Sequence, residues 1–451
     1  MAGLSELENF LKEQQAEGVL DSQGKFTLAR EKALEKLAAF QLPRETAWVL
    51  KVVQAAVRCG APELDIRQTS TDTEFRFRCP DSWTLETLDA ALVDPENSED
   101  LGLDHLKRGL WSVGINGLRP FHCSLPGADK ALVWNGKDFH HPPCQVTADF
   151  HLTVSHRTVY EGKGLPLLRS IEAASGNAAL ARELREHAFT CPIPLNLDRR
   201  RLDALQLCPD HGYSKSSYPA YLALASGDLP DLPLPPGTFG GYSMPSGGHA
   251  QLNRVLHQVA RPEQVAVAAL ISIHVEQVTE NKRTFWKRHQ RDHHFFWVRD
   301  GVVVSRQSLA GLRTSPVSLA IVASAEGLPS DLSAFSVVQN AETQARQRSV
   351  LQSIWPRLQQ ARIELKPLIE SSQSGGRLGG GLLIGAGGLM ILASPIHGLG
   401  VMGWGLYTLM RAGQDEVELE NSLQEELERL QSQWQQKLLP STSQPRSAWS
   451  W

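Results

Sequence analysis

An α/β body of two domains, followed by a helical stalk and an apolar hairpin set in a membrane, is the fold class this sequence predicts. Three observations predict it. Helical and strand-like patterns alternate over residues 25–340. Residues 342–370 then carry a seam at three-four spacing, Leu351, Ile354, Leu358, Ala361, Leu365 and Leu368, which is the pattern of a coiled coil. Finally, the 33 residues from Leu378 to Met410 contain no Asp, Glu, Lys or Arg, and about 20 apolar residues suffice to span a bilayer.

Composition fits that outline. The 451 residues leave room for two domains with appendages. The net charge of −4 is concentrated in residues 412–451, which hold seven acids and three bases. The rest is balanced and lacks the basic surface of a broad nucleic-acid binder, so nucleic acid is not an expected partner. Six scattered cysteines without a C-x-x-C pair read as thiols of a reducing compartment. Met1 to Phe10 has neither the basic start nor the apolar run of a signal peptide. The expected location is a membrane, with the body on its cytoplasmic side.

Along the chain, Leu4 to Gln15 reads as a detachable helix, with residues 1–24 forming that helix and a linker. Residues 25–155 form the first expected domain. It opens with a helical pattern over Leu28 to Phe40, stopped by Pro43. The helix Glu45 to Cys59 is apolar nearly all round, so it is expected to be buried. Alternation gives strands at Glu63–Arg67 and Glu74–Arg78. A helix over Thr84–Leu92, an acidic loop over Asp94–Asp104 and a helix over His105–Val113 follow. Three strands then close the domain: Arg119–Ser124, Ala131–Asn135 and Gln145–Ser155. The second expected domain, residues 156–340, starts with a helix over Leu165–His187, interrupted near Gly176. Strands are expected at Pro192–Leu197, Val265–Val275, His293–Val304 and Val317–Ala323. Residues 209–248, dense in Pro, Gly and Ser, read as a long loop. Residues 341–377 are the stalk, in which Pro356 and Pro367 should kink the helix. Residues 411–451 are an acidic helix and a disordered tail.

The apolar segment, 378–410, is dense in glycine. Gly381 and Gly385 have the small-xxx-small spacing that lets membrane helices approach closely. Trp404 and Tyr407 suit the lipid–water boundary. Three shapes compete: one tilted helix kinked at Pro395, a hairpin with Pro395 at its tip, and a hairpin buried inside a soluble fold. The membrane hairpin is favoured. It returns the chain so that the leucine seams on either side lie antiparallel, and it leaves Arg377 and Arg411 on one side, as the positive-inside bias prefers. The seam or the glycines could also join copies of the chain into a homo-oligomer.

One stretch carries a resemblance. Residues 49–61, Val-Leu-Lys-Val-Val-Gln-Ala-Ala-Val-Arg-Cys-Gly-Ala, are similar to the first motif of the GHKL superfamily, a buried helix reading E-L-V-D-N-A-x-D-A-G-A. The order of elements over Phe26–Ser155 also resembles that superfamily's ATP-binding fold. The group includes the ninety-kilodalton heat-shock chaperone, mismatch-repair ATPases, gyrase and histidine kinases. The resemblance implies an α+β sandwich. It places Lys51 where the family has the glutamate that activates water, and Ala55 where the family has the asparagine that holds Mg²⁺. It makes Asp81, in Arg78-Cys79-Pro80-Asp81-Ser82, the sole carboxylate near the adenine-reading motif, out of register. It makes Gly109, Gly114 and Gly117 the glycines of the lid. A lysine is no carboxylate base and an alanine no metal ligand. ATP and Mg²⁺ are therefore doubtful cofactors, and no residue is assigned a catalytic role. The bland reading of 49–61 is a plain core helix.

Among other candidates, Lys282, Arg283, Lys287, Arg288 and Arg291 surround Phe285 and Trp286. This basic–aromatic patch could meet anionic lipid headgroups, or it could be a solvated hairpin end. Cys208 and His211 lack the second half of a zinc site, so no metal is expected. The sequence thus points to a non-catalytic, membrane-associated scaffold or chaperone-like protein, with lipid and an unidentified protein as partners. Two rivals are a membrane-anchored ATPase with Asp81 or Glu86 replacing the lost carboxylates, and a pore-forming effector.

Overall fold

The structure is a computed structural model. It describes residues 42–93, 98–156, 166–209, 217–239, 264–280, 283–309, 314–331 and 333–372, with residues 425, 428, 429 and 432. The expected helices at 4–15 and 28–40, most of the one at 415–439, and the whole apolar segment with Gly381, Gly385, Pro395, Trp404 and Tyr407, lie outside the described residues. Among the described residues no helix is long and apolar enough to cross a membrane.

Helix α1 (Trp48–Arg58) is the centre of the body. Nine of its eleven residues are buried. Its end is a Schellman closure: Gly60 adopts φ +73°, its N–H bonds the carbonyl of Val57, and that of Ala61 reaches back to Ala56. Strands β1 (Leu64–Gln68) and β2 (Asp72–Phe77) form a hairpin, and helix α2 (Leu85–Val93) follows. Helix α3 (Leu101–Leu110) begins four residues before the sequence reading placed it, because Asp100 caps it: Oδ1 accepts from the Leu103 N–H at 3.0 Å. It continues as a π-helical stretch, Trp111–Asn116. Strands β3 (Phe121–Ser124), β4 (Leu132–Trp134), β5 (Phe139–His140) and β6 (Phe150–Ser155) complete the expected order, β5 being unforeseen.

Helix α4 (Pro166–His187) runs unbroken through Gly176, where a break was expected. Strands β7 (Leu195–Leu197) and β8 (Arg200–Arg201) then return to the first sheet, β7 lying parallel to β1. That sheet has the order β5-β4-β3-β6-β2-β1-β7-β8. Its inner face is apolar: Trp48 of α1 stands edge-on to Phe75 at 5.5 Å, and Phe77 packs on Phe150 at 4.9 Å.

The second sheet joins β9 (Ser217–Ala225), β10 (Val267–Glu280), β11 (Arg283–Arg288), β12 (His294–Arg299), β13 (Val302–Ser308) and β14 (Val317–Ser324) in the order β11-β10-β14-β12-β13, with β9 also on β10. Strand β9 (Ser217–Ala225) lies inside the stretch read as a loop. Its proline content misled that reading. Pro219 sits where the β9–β10 register shifts, so its missing N–H costs the ladder little. Strand β10 (Val267–Glu280) is longer than expected and turns into β11 (Arg283–Arg288). The single strand expected at His293–Val304 is a hairpin, β12 (His294–Arg299) and β13 (Val302–Ser308). Asp300 and Gly301 turn it with φ +50° and +74°, the Asp-Gly turn that matches strand twist. Strand β14 (Val317–Ser324) is buried throughout.

Helix α5 (Ala341–Ser372) is continuous through Pro356 and Pro367. Among the described residues its apolar face meets a sheet: Val350, Ile354 and Ala361 are buried in the main core, and the helix packs on β9 and β10. Of the basic patch, Arg283, Lys287 and Arg288 lie on the edge strand β11, where charge blunts edge-to-edge pairing. Lys287 and Arg288 are exposed, Arg291 is half-buried beside Ser315, and Lys282 lies outside the described residues.

Candidate functional site

Lys51 and Ala55 are one turn apart on α1, hence on one face, and both are fully buried. That face meets α3. Two glycines of α3, seven residues apart, allow the contact. A Cβ on Gly109 would lie 3.1 Å from the Lys51 Cβ and 3.2 Å from the Trp48 carbonyl; one on Gly102 would lie 3.3 Å from the Ala55 carbonyl. The two helices therefore close against each other along the positions where the resemblance would put a nucleotide's chemistry. Gly109→Ala is expected to destabilise the fold by about 1–3 kcal/mol through overpacking, read as a lower urea midpoint.

The Lys51 amine has two protein neighbours of note. Its Nζ donates to Gln54 Oε1 at 3.0 Å and lies 4.4 Å from the centroid of the Phe335 ring. Gln54 in turn donates to the Arg299 carbonyl at 3.1 Å. Burial first, then the Arg108 guanidinium, pull the Lys51 pKa down to about 7. Asp104 and Asp300 oppose this. Both carboxylates are already engaged. Asp104 accepts from Arg108 at 2.8 Å and faces Lys107 at 3.3 Å. Asp300 pairs with Arg58 and meets His105 Nε2 at 2.9 Å. His105 is pulled down by burial, against its bond to Asp300.

The hairpin tip Arg299–Gly301 is docked into this cluster. The Gly301 carbonyl accepts from Thr190 Oγ1 at 2.9 Å, and a Cβ on Gly301 would lie 2.5 Å from Pro192 Cδ. Sequence reasoning passed over Asp300, His105 and Phe335. The Asp-Gly dipeptide between two apolar runs was the available signal for the tip; nothing local marks Phe335.

The other sequence-derived positions are apart from this cluster. Gly114 lies in the π-helical stretch, where a Cβ would be 2.4 Å from the Phe121 ring, and its carbonyl accepts from Trp134 Nε1 at 3.0 Å. A Cβ on Gly117 would lie 2.7 Å from the Val113 carbonyl. Both glycines are thus required by packing. Asp81 lines a separate cleft of about 700 Å³, between the segment Pro80–Glu86 and the segment Leu125–Lys130, with Asp89 and His141 on its wall. Neither α1 nor α3 contributes to that cleft. Among the described residues no three His, Cys, Asp or Glu side chains are grouped to hold a metal ion.

No family model matches the chain. No curated protein matches it either. Several solved structures do. One is the ATPase domain of the mismatch repair endonuclease MutL of Aquifex aeolicus, at 9% identity, with 68% of this chain and 97% of that one covered and a TM-score of 0.31. Another is the B-subunit of DNA gyrase from Myxococcus xanthus, at 8% identity, covering 70% and 87%, with a TM-score of 0.33. A third is the N-terminal domain of a DNA repair protein, at 8% identity, covering 70% and 94%, with a TM-score of 0.33.

Proposed function

We propose that this chain is a non-catalytic scaffold or chaperone-like protein, built on a degenerate GHKL-like body and held to a membrane by residues 378–410. The observation that carries the non-catalytic reading is the closure of α1 on α3. Lys51 and Ala55 replace the glutamate and asparagine of the resembled motif, and the face they occupy is filled by the backbone of Gly102 and Gly109. A nucleotide would have to prise apart helices that share one core. The membrane anchor rests on sequence, on 33 residues without a formal charge. The edge strand β11 adds exposed cations that would favour an anionic lipid surface. The partner would be a protein gathered at that surface.

Titration calorimetry of the full chain with ATP and Mg²⁺ tests the non-catalytic reading. No saturable heat is the expected result. Magnesium-dependent binding would mean that the helices open and that the reading of Lys51 and Ala55 is wrong. Flotation with anionic vesicles tests the anchor; a chain lacking residues 378–410 should stay with the soluble fraction, and flotation of that deletion would sink the idea.

A second reading has one observation in its favour. The cleft beside Asp81 also contains Glu86, so an ATPase that had moved its carboxylates would have them there. Turnover that needs Mg²⁺ and is lost in Asp81→Ala would establish it.

A further inference from the structure

The cleft beside Asp81, of about 700 Å³, has walls that are held from behind. Trp83 lines one side and is buried. Its Nε1 donates to Asp100 Oδ2 at 2.8 Å, and its ring stands edge-on to Phe77 and Phe150 at 6.2 and 5.9 Å. Thr84, next on that wall, exchanges caps with Thr87 at the start of α2. The Thr84 N–H donates to Thr87 Oγ1 at 2.8 Å, and the Thr87 N–H donates to Thr84 Oγ1 at 3.2 Å. The facing wall is the turn Leu125–Ala128. The Ala128 N–H closes it on the Leu125 carbonyl at 3.2 Å, Gly127 adopts φ +71°, and the Gly127 N–H fastens it to the Thr147 carbonyl at 3.0 Å. A cleft of this size with fixed walls suits a small molecule.

The lining sets the charge of that molecule. Four carboxylates border the cleft, Asp81, Glu86, Asp89 and Asp129, against Lys130 and His141. Asp89 Oδ1 faces His141 Nε2 at 3.8 Å. No ion pair with a described residue engages Asp81, Glu86 or Asp129. A cleft lined by one sign of charge concentrates the opposite sign. A bare metal ion fits poorly, because among the described residues no three His, Cys, Asp or Glu side chains are grouped to hold one. Carboxylates set apart ask for cationic groups set apart, and the same walls carry Pro80, Trp83, Leu85, Leu125 and Pro126. We infer that this cleft binds a linear aliphatic polyamine, its ammonium groups meeting the carboxylates and its methylenes lying on Trp83 and the prolines. This goes beyond the scaffold reading, and it puts a cation where the ATPase reading puts a nucleotide. An anion finds little here, since the Thr87 N–H, a donor that the helix start would offer it, is bonded to Thr84.

Titration calorimetry of the full chain with spermidine, in about 50 mM salt, tests the site. One equivalent should bind saturably, more weakly as salt is raised. Glu86→Gln and Asp129→Asn should each weaken binding roughly threefold, because contacts to exposed carboxylates are individually weak, and together about tenfold. Both side chains are exposed, so both variants should fold. Glu342→Gln, the same loss of charge at the exposed start of α5, should leave binding unchanged. No saturable heat with spermidine, or an equal loss in Glu342→Gln, would overturn the inference. Displacement of spermidine by equimolar Mg²⁺ would overturn it as well, by making the carboxylates a metal site. Spermidine and ATP are titrated separately, so the polyamine site and the non-catalytic reading fail independently.

Discussion

Lys51→Met is expected to stabilise the folded chain near neutral pH. The parent lysine titrates near 7 when folded, against 10.5 when unfolded. Below pH 7 both states are charged and the folded state bears the whole burial penalty. As pH rises from 7 towards 10.5 the unfolded state keeps a proton that the folded state has released, so stability climbs with pH. Above that window the penalty is gone. The separation from 10.5 to about 7 corresponds to a penalty of about 5 kcal/mol, from which about 1–3 kcal/mol must be taken because the variant leaves Gln54 Oε1 buried without its donor. The net gain is therefore about 2–4 kcal/mol near pH 7, shrinking to zero or a small loss at about pH 10. Urea midpoints of the two proteins at the two pH values check this. A gain that does not change with pH would show that methionine merely packs better. No gain at either pH would show that Lys51 keeps its charge and its water.

Much of the first sheet was legible because its strands obey a period of two with one wet face. Thr73, Phe75 and Phe77 point inward, while Asp72, Glu74 and Arg76 are less buried. The buried helix α1 was legible for a different reason: only Lys51, Gln54 and Arg58 of its eleven residues are polar, and Gly60 ends it. Where reading failed, a long-range contact overrode a local signal. Pro219 suggested a loop, yet β9 is held by pairing with β10, some fifty residues later. Gly176 suggested a break, yet its site is open and the helix simply continues. The seam of α5 reports which face is apolar and not what covers it; among the described residues the cover is a sheet.

The candidate site divides in the same way. Lys51 and Gly109 were singled out from the resemblance, and the fold does bring them together, through helix packing. Gly114 and Gly117 were singled out for the same reason and serve other contacts, one against Phe121 and one against the turn of its own helix. Two of the groups beside Lys51, Phe335 and the tip at Asp300, come from more than two hundred residues away. No periodicity in α1 can announce them.

Gly301→Ala should produce the largest loss of stability among single methyl additions to the glycines of the tip and of α3. Two costs combine. At φ +74° a side chain strains the backbone by about 1–2 kcal/mol. The added Cβ would also lie 2.5 Å from Pro192 Cδ and 3.2 Å from both Cys191 Cα and Val57 Cγ2, an overlap that costs about 1–3 kcal/mol. Gly127→Ala separates these contributions: Gly127 has φ +71° with nothing within 4 Å of its virtual Cβ. That variant should lose only the strain. A loss at Gly301 about 2 kcal/mol greater than at Gly127 would place the hairpin tip against Pro192 and α1 as described. Because Asp300 follows its neighbour, the same displacement should loosen its pairs with Arg58 and His105. Equal losses at the two glycines would mean that the tip stands free of the first sheet's core, and the cluster around Lys51 would lose the carboxylate that closes it from that side.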